Sequence, residues 1–235
     1  MAKIVVGNLK MNLTEKEVDR YLDVINKEDF ENINLFLAPS YIYLEKFKSN
    51  KYNLTAQDVS LFYDGSYTGE VSATQLSSIG VKSVIIGHSE RRTLFSEDSK
   101  IINEKIKKSL KNNLKVILCV GEAKKDNVET TKKNILEELK KDLDGISDIE
   151  NIIIAYEPFY AISSGKSADV DNIKEVVNEI KSYASKIYNK NIKVIYGGSV
   201  DEENIEKIVS ICDGAMIGKM SLNAEKFVNL MKKIK

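Results

Sequence analysis

The feature that most constrains this chain is a run of short apolar segments that recurs eight times. They are Ile4–Val6, Ile33–Ala38, Leu54–Ala56, Val84–Ile86, Val116–Val120, Ile152–Ala155, Ile192–Tyr196 and Ala215–Ile217. Each is mostly continuous rather than alternating, which suits parallel strands covered on both faces. Between them the apolar period changes to that of a helix. Val18, Leu22 and Ile25 form one stripe, behind a capping box of Thr14 and Glu17. Further stripes are Ile102, Ile106, Leu110; Ile135, Leu139, Leu143; Ile173, Val176, Val177, Ile180, Ala184, Ile187; and Phe227, Leu230, Met231, Ile234. Ser72 with Gln75 caps a short helix after the third strand, and another helix is expected to open near Asp169. Eight strand–helix units in 235 residues predict a (β/α)₈ barrel filling residues 1–235 as one domain. The alternative, an open doubly wound sheet, lacks a Gly-rich dinucleotide turn after its first strand, where the chain reads Gly7–Asn8–Leu9–Lys10.

Composition narrows the function. Lys+Arg and Asp+Glu balance at 35 each, so no basic field points to nucleic acid or an anionic membrane. No stretch is long and apolar enough to span a bilayer, and none resembles a signal peptide, so the expected compartment is the cytoplasm. Cys119 and Cys212 make no metal-type spacing with each other or with the single histidine, so the reading is two buried, reduced thiols and no metal. One loop is long: Asp58–Glu70, with Leu61, Phe62, Tyr63 and Tyr67 on it. Apolar residues on such a loop predict burial by a partner subunit.

Barrel enzymes place their chemistry where the C-terminal ends of the strands meet the loops. Those positions hold Asn8 and Lys10 after strand one, His88, Ser89 and Glu90 after strand four, and Glu157 after strand six. Gly197, Gly198 and Ser199 follow strand seven, and Gly218 and Lys219 follow strand eight. A lone histidine at a strand end is more often structural, but here a lysine and a glutamate occupy equivalent ends. Glu157 could take a proton from carbon, His88 donate to the oxygen gaining charge, and Lys10 hold that charge. The two glycine-containing ends, the first leading into a helix expected at Asp201, suit an oxyanion such as a phosphate. Together they point to enolisation of a small phosphorylated carbonyl compound. A Schiff-base aldolase would need a desolvated lysine, for which Lys10 is the candidate. A barrel that keeps only a binding role is the third reading, opposed by intact Lys10, His88 and Glu157.

The motifs Gly7-Asn8-Leu9-Lys10-Met11-Asn12, Gly65-Ser66-Tyr67-Thr68-Gly69-Glu70, Gly87-His88-Ser89-Glu90-Arg91-Arg92, Ala155-Tyr156-Glu157-Pro158 and Tyr196-Gly197-Gly198-Ser199-Val200 resemble triosephosphate isomerase in order and spacing along the whole chain. The resemblance implies interconversion of dihydroxyacetone phosphate and D-glyceraldehyde 3-phosphate, in glycolysis and gluconeogenesis, with no cofactor. It implies Glu157 as base, His88 as neutral electrophile, and Lys10 and Asn8 stabilising the enediolate beside Glu90. A lid, Pro158–Lys166, would close over a phosphate held by backbone N–H groups around Ser164, Ser199, Gly218 and Lys219, with Gly198 lending close approach. The loop carrying Thr68 would reach into a partner's site, making a homodimer. Four positions depart from the family pattern: Leu9 and Tyr160 stand where tryptophans are usual, Ser163–Ser164–Gly165 replaces Gly-Thr-Gly, and Lys219 replaces a glycine. If that last position needs a positive φ, the lysine is strained.

Overall fold

In the computed structural model, which describes residues 2–164 and 168–234, all eight apolar runs are strands. They are β1 (Lys3–Asn8), β2 (Ile33–Ala38), β3 (Asn53–Ala56), β4 (Ser83–Ile86), β5 (Lys115–Val120), β6 (Ile152–Tyr156), β7 (Lys193–Tyr196) and β8 (Gly214–Ile217). Each pairs in parallel with the next, and β8 pairs with β1, closing a barrel ringed by helices. Parallel pairing forces a crossover between successive strands, made by a 3-10 segment, Tyr41–Phe47, between β2 and β3 and elsewhere by the helices α1 (Glu15–Ile25), α2 (Ala73–Ser78), α3 (Ser89–Leu94), α4 (Ser99–Lys111), α5 (Val128–Asp142), α6 (Phe159–Ser164), α7 (Val170–Tyr188) and α8 (Ile205–Ile211), with α9 (Ala224–Lys232) following β8. Both capping boxes form, at Thr14–Glu17 and Ser72–Gln75, and Asp169 caps α7 by accepting from the Asp171 and Asn172 amides.

Strand alternation sorts the core into two layers. Ile4, Val6, Phe36, Ile85, Ile117, Ile153 and Ile195 fill the inside of the barrel, while Val5, Leu35, Ile154 and Val194 pack outward on the helices. Towards the C-terminal mouth the inward residues become small, at Ala38, Cys119 and Ala155, and the space they leave becomes the site. Continuing the same alternation by two residues turns Asn8 (after Ile4 and Val6) and Glu157 (after Ile153 and Ala155) toward the barrel axis.

Some expectations shift. The helix expected at Asp201 begins at Ile205, because the Asp201 carboxylate accepts from the Glu203 and Asn204 amides and spends those residues on a turn. Ile187, in the last turn of α7, is 61% exposed and lies off the apolar stripe. The first part of the expected lid, residues 159–164, is helical in its backbone. Leu9 is buried, so its replacement of tryptophan is met by packing alone. On the long loop Phe62 stacks on Tyr67 at 3.6 Å within the same chain, while residues 63–70 stay exposed. Among the described residues no helix is long and apolar enough to cross a membrane.

Candidate active site

A cavity of about 260 Å³ opens at the C-terminal mouth of the barrel. It is lined by Asn8, Lys10, His88, Glu157, Gly197, Gly198, Ser199, Gly218 and Lys219, so nine expected residues, from five strand ends, meet in one place. Met216 and Met220 complete its apolar wall, and no sequence signal had marked them. Glu90 stands one step back, against Lys10. Thr68 is exposed on its loop. Gly165 and Lys166, at the far end of the expected lid, lie outside the described residues. Ser164 is described only as the last residue of α6.

His88 follows β4 and forms the N-cap of α3. Its Nδ1 accepts the Glu90 amide hydrogen at 3.2 Å. An accepting ring nitrogen carries no proton, so this contact assigns the imidazole hydrogen to Nε2. Nε2 faces Glu157 Oε1 at 3.3 Å, and the Ser89 amide donates to Glu157 Oε2 at 3.2 Å. The loop after β4 thereby faces both oxygens of the carboxylate and holds one of them, with Glu157 only 1% exposed. Below it lies Cys119, whose thiol is pushed well above its usual range by burial and, next, by the Glu157 charge. The thiol therefore stays protonated and adds no second negative charge.

Lys10 sits in the left-handed region, at φ 51°, a strained backbone for a side chain of this kind. Three contacts hold it there. Asn8 Oδ1 accepts from the Lys10 amide, and the Lys10 carbonyl accepts from Ser40 Oγ at 3.0 Å and Gln57 Nε2 at 2.8 Å. The ammonium then reaches Glu90 Oε1 at 2.5 Å. An ion-paired ammonium is a fixed positive charge rather than a free amine, which disfavours the Schiff-base reading. Ser40 and Gln57 escaped sequence reasoning because they act on a backbone carbonyl distant in the chain.

The glycines are needed for space. A Cβ at Gly197 would lie 2.7 Å from Glu157 Cγ, and one at Gly198 would lie 2.2 Å from the Tyr196 hydroxyl. That hydroxyl accepts from the Ala168 amide at 3.1 Å, so β7 grips the trailing end of the segment after β6. At the leading end, Glu122 accepts from the Tyr156 hydroxyl at 3.0 Å, and its carbonyl accepts from the Phe159 amide. Lys219 is not among the positive-φ residues and starts a 3-10 turn, Lys219–Leu222, so strain at that position is excluded. We expect Gly197→Ala to lower turnover by about a hundredfold without unfolding the barrel, by displacing the Glu157 side chain by a fraction of an ångström. Steady-state kinetics beside a thermal melt would check it.

Comparison with known proteins fits this geometry. Residues 3–234 match the family described as Triosephosphate isomerase. The chain is 37% identical to the triosephosphate isomerase of Mycoplasma genitalium, over 98% of both chains. It is 39% identical to that of Mycoplasma mobile, over 98% of this chain and 99% of the relative. With that of Pelodictyon phaeoclathratiforme the identity is 38%, over 98% and 97% respectively.

Proposed function

The chain belongs to the triosephosphate isomerase family, and from that premise we propose that it interconverts D-glyceraldehyde 3-phosphate and dihydroxyacetone phosphate through an enediolate at Glu157, His88 and Lys10. The observation that carries the reading is His88 Nε2 at 3.3 Å from a buried Glu157 carboxylate, in the cavity that also holds Lys10. Glu157 takes the proton from C2 of the aldehyde, and the C–H electron pair moves into the carbonyl, leaving charge on O1. The Nε2–H of His88 and the Lys10 ammonium face that charge. His88, neutral and donating, passes a proton between the two oxygens as Glu157 returns its own to C1. Atoms and electrons balance within the substrate, so the cycle calls on no redox partner.

The phosphate belongs against the backbone N–H groups around Ser164, Ser199, Gly218 and Lys219. The exposed loop carrying Thr68, with its stacked Phe62 and Tyr67, is the surface through which we place the partner of a homodimer. The test is direct: the purified chain should isomerise D-glyceraldehyde 3-phosphate in a coupled assay, and a folded chain without turnover would refute the reading.

Lys219 makes no hydrogen bond or ion pair among the described residues, yet lines the cavity. Its ammonium is an additional cation for the dianionic end of the substrate. We expect Lys219→Gly to raise KM about two- to fivefold with kcat nearly unchanged, and to flatten the dependence of KM on salt. Titrating KM against sodium chloride in both proteins measures this.

A further inference from the structure

Behind the site lies a charge cluster that the reaction does not use. Arg92, on α3, points away from the cavity and under the strand ends. Its Nε donates to the Gly87 carbonyl at 2.8 Å, beside His88, and its Nη2 to the Cys119 carbonyl at 2.9 Å. The same Nη2 donates to Asp142 Oδ2 at 2.6 Å and lies 3.3 Å from Glu138 Oε1, both on α5. A guanidinium NH₂ carries two hydrogens, and three acceptors surround this one. The shortfall shows: Glu138 Oε1 is buried with no hydrogen bond of its own among the described residues. The fit around Arg92 is also close, since a Cβ at Gly87 would lie 2.9 Å from Nη2.

The two carbonyls that Arg92 holds are next to the chemistry. Gly87 is followed by His88. Cys119 lies beneath Glu157, and the adjoining Val120 carbonyl accepts the Glu157 amide at 2.8 Å. A Cβ on Gly121 would lie 1.8 Å from the Glu157 carbonyl oxygen, so the end of β5 and the backbone of Glu157 are in direct contact. We propose that Arg92 is a positioning residue that fixes the backbone beneath His88 and Glu157, and that Glu138, when ionised, competes with those carbonyls for the guanidinium and loosens its hold. This rests on the reading of Glu157 and His88 given above.

The surroundings of Glu138 make that competition adjustable. Burial pushes its carboxyl up to about 7, against the pull of Arg92, with the Asp142 charge adding to the rise, the Gly121 amide opposing it and Glu122 adding again. Cys119 faces it from β5 as a protonated thiol. From α4, Asn103 donates to the Asp142 carbonyl, and Ser99 draws the Asp142 carboxyl downward. Lys141 also draws on Asp142. Glu175 of α7 is paired with Lys132 and leaves Glu138 alone.

His88 is the only histidine, so its ring gives one unambiguous NMR signal. The deciding experiment records that signal and kcat against pH for the wild type and Glu138→Gln. In the wild type the His88 resonance should show an inflection near pH 7 that is missing from the variant. The ratio of kcat, variant over wild type, should rise about threefold through the same interval with KM unaltered. Taking the ratio cancels ionisation of the substrate phosphate. Arg92→Lys, which cannot span the same acceptors, should lower kcat about tenfold at constant KM. An inflection that survives in Glu138→Gln, or a flat kcat ratio, overturns the proposal. A chain that turns nothing over would instead refute the isomerase reading and leave the NMR comparison standing.

Discussion

Glu157→Gln should cut kcat by about three to four powers of ten while leaving the fold and KM nearly as they are. The amide has the shape of the carboxylate and can still accept from the Ser89 amide, so the buried position stays filled and partly satisfied. On the proposed mechanism it loses the ability to take a proton from carbon, a step for which no other described group in the cavity is placed. His88 Nε2 already carries its hydrogen, and the Lys10 ammonium is held in its ion pair with Glu90. General base catalysis contributes about 10²–10⁴-fold, and the loss of a precisely held base falls at the upper end. Coupled kinetics with thermal melts would check both halves, and a variant that keeps a tenth of the activity would contradict the assignment.

His88→Gln should cost about a thousandfold in kcat, for a different reason. In the proposed mechanism the base Glu157 remains, but the donor that His88 offers to the developing oxyanion goes. In the wild type the hydrogen is on Nε2 because α3 presents the Glu90 amide to Nδ1. A glutamine has neither that anchor nor the second ring nitrogen with which to relay a proton between two oxygens. Its amide would sit near Glu157 without being aimed. The expected signature is a fall in kcat larger than any change in KM, measured in both directions of the reaction. Equal losses in the two parameters would mean that His88 only binds substrate.

Much of this was legible in the sequence because the fold is parallel. Strands covered on both faces must be apolar throughout, so they stand out as unbroken runs, and the helices between them show the other period. The site was legible for a related reason: in a barrel, the residues just after each run face the mouth, and reading those positions found nine of the cavity residues. The rest depended on proximity in space. Ser40 and Gln57 hold the strained Lys10 through a carbonyl, and no pattern in the sequence announces a carbonyl's partner. Arg92 reads as a charged residue of a short helix, and only the closed barrel brings it to Asp142 and Glu138. The turn at Asp201 delayed α8 because a side-chain carboxylate outcompeted the helix for two amides.

The central claim is that this site moves a proton on and off carbon through Glu157. Running the reaction in D₂O and following the triose phosphates by NMR tests it most directly. Deuterium should enter the carbon-bound positions at C1 of dihydroxyacetone phosphate and C2 of D-glyceraldehyde 3-phosphate as isomerisation proceeds, and Glu157→Gln should abolish the labelling. A folded wild-type chain that leaves both trioses unlabelled and unconverted, or a Gln variant that labels them as fast as the wild type, would contradict the account.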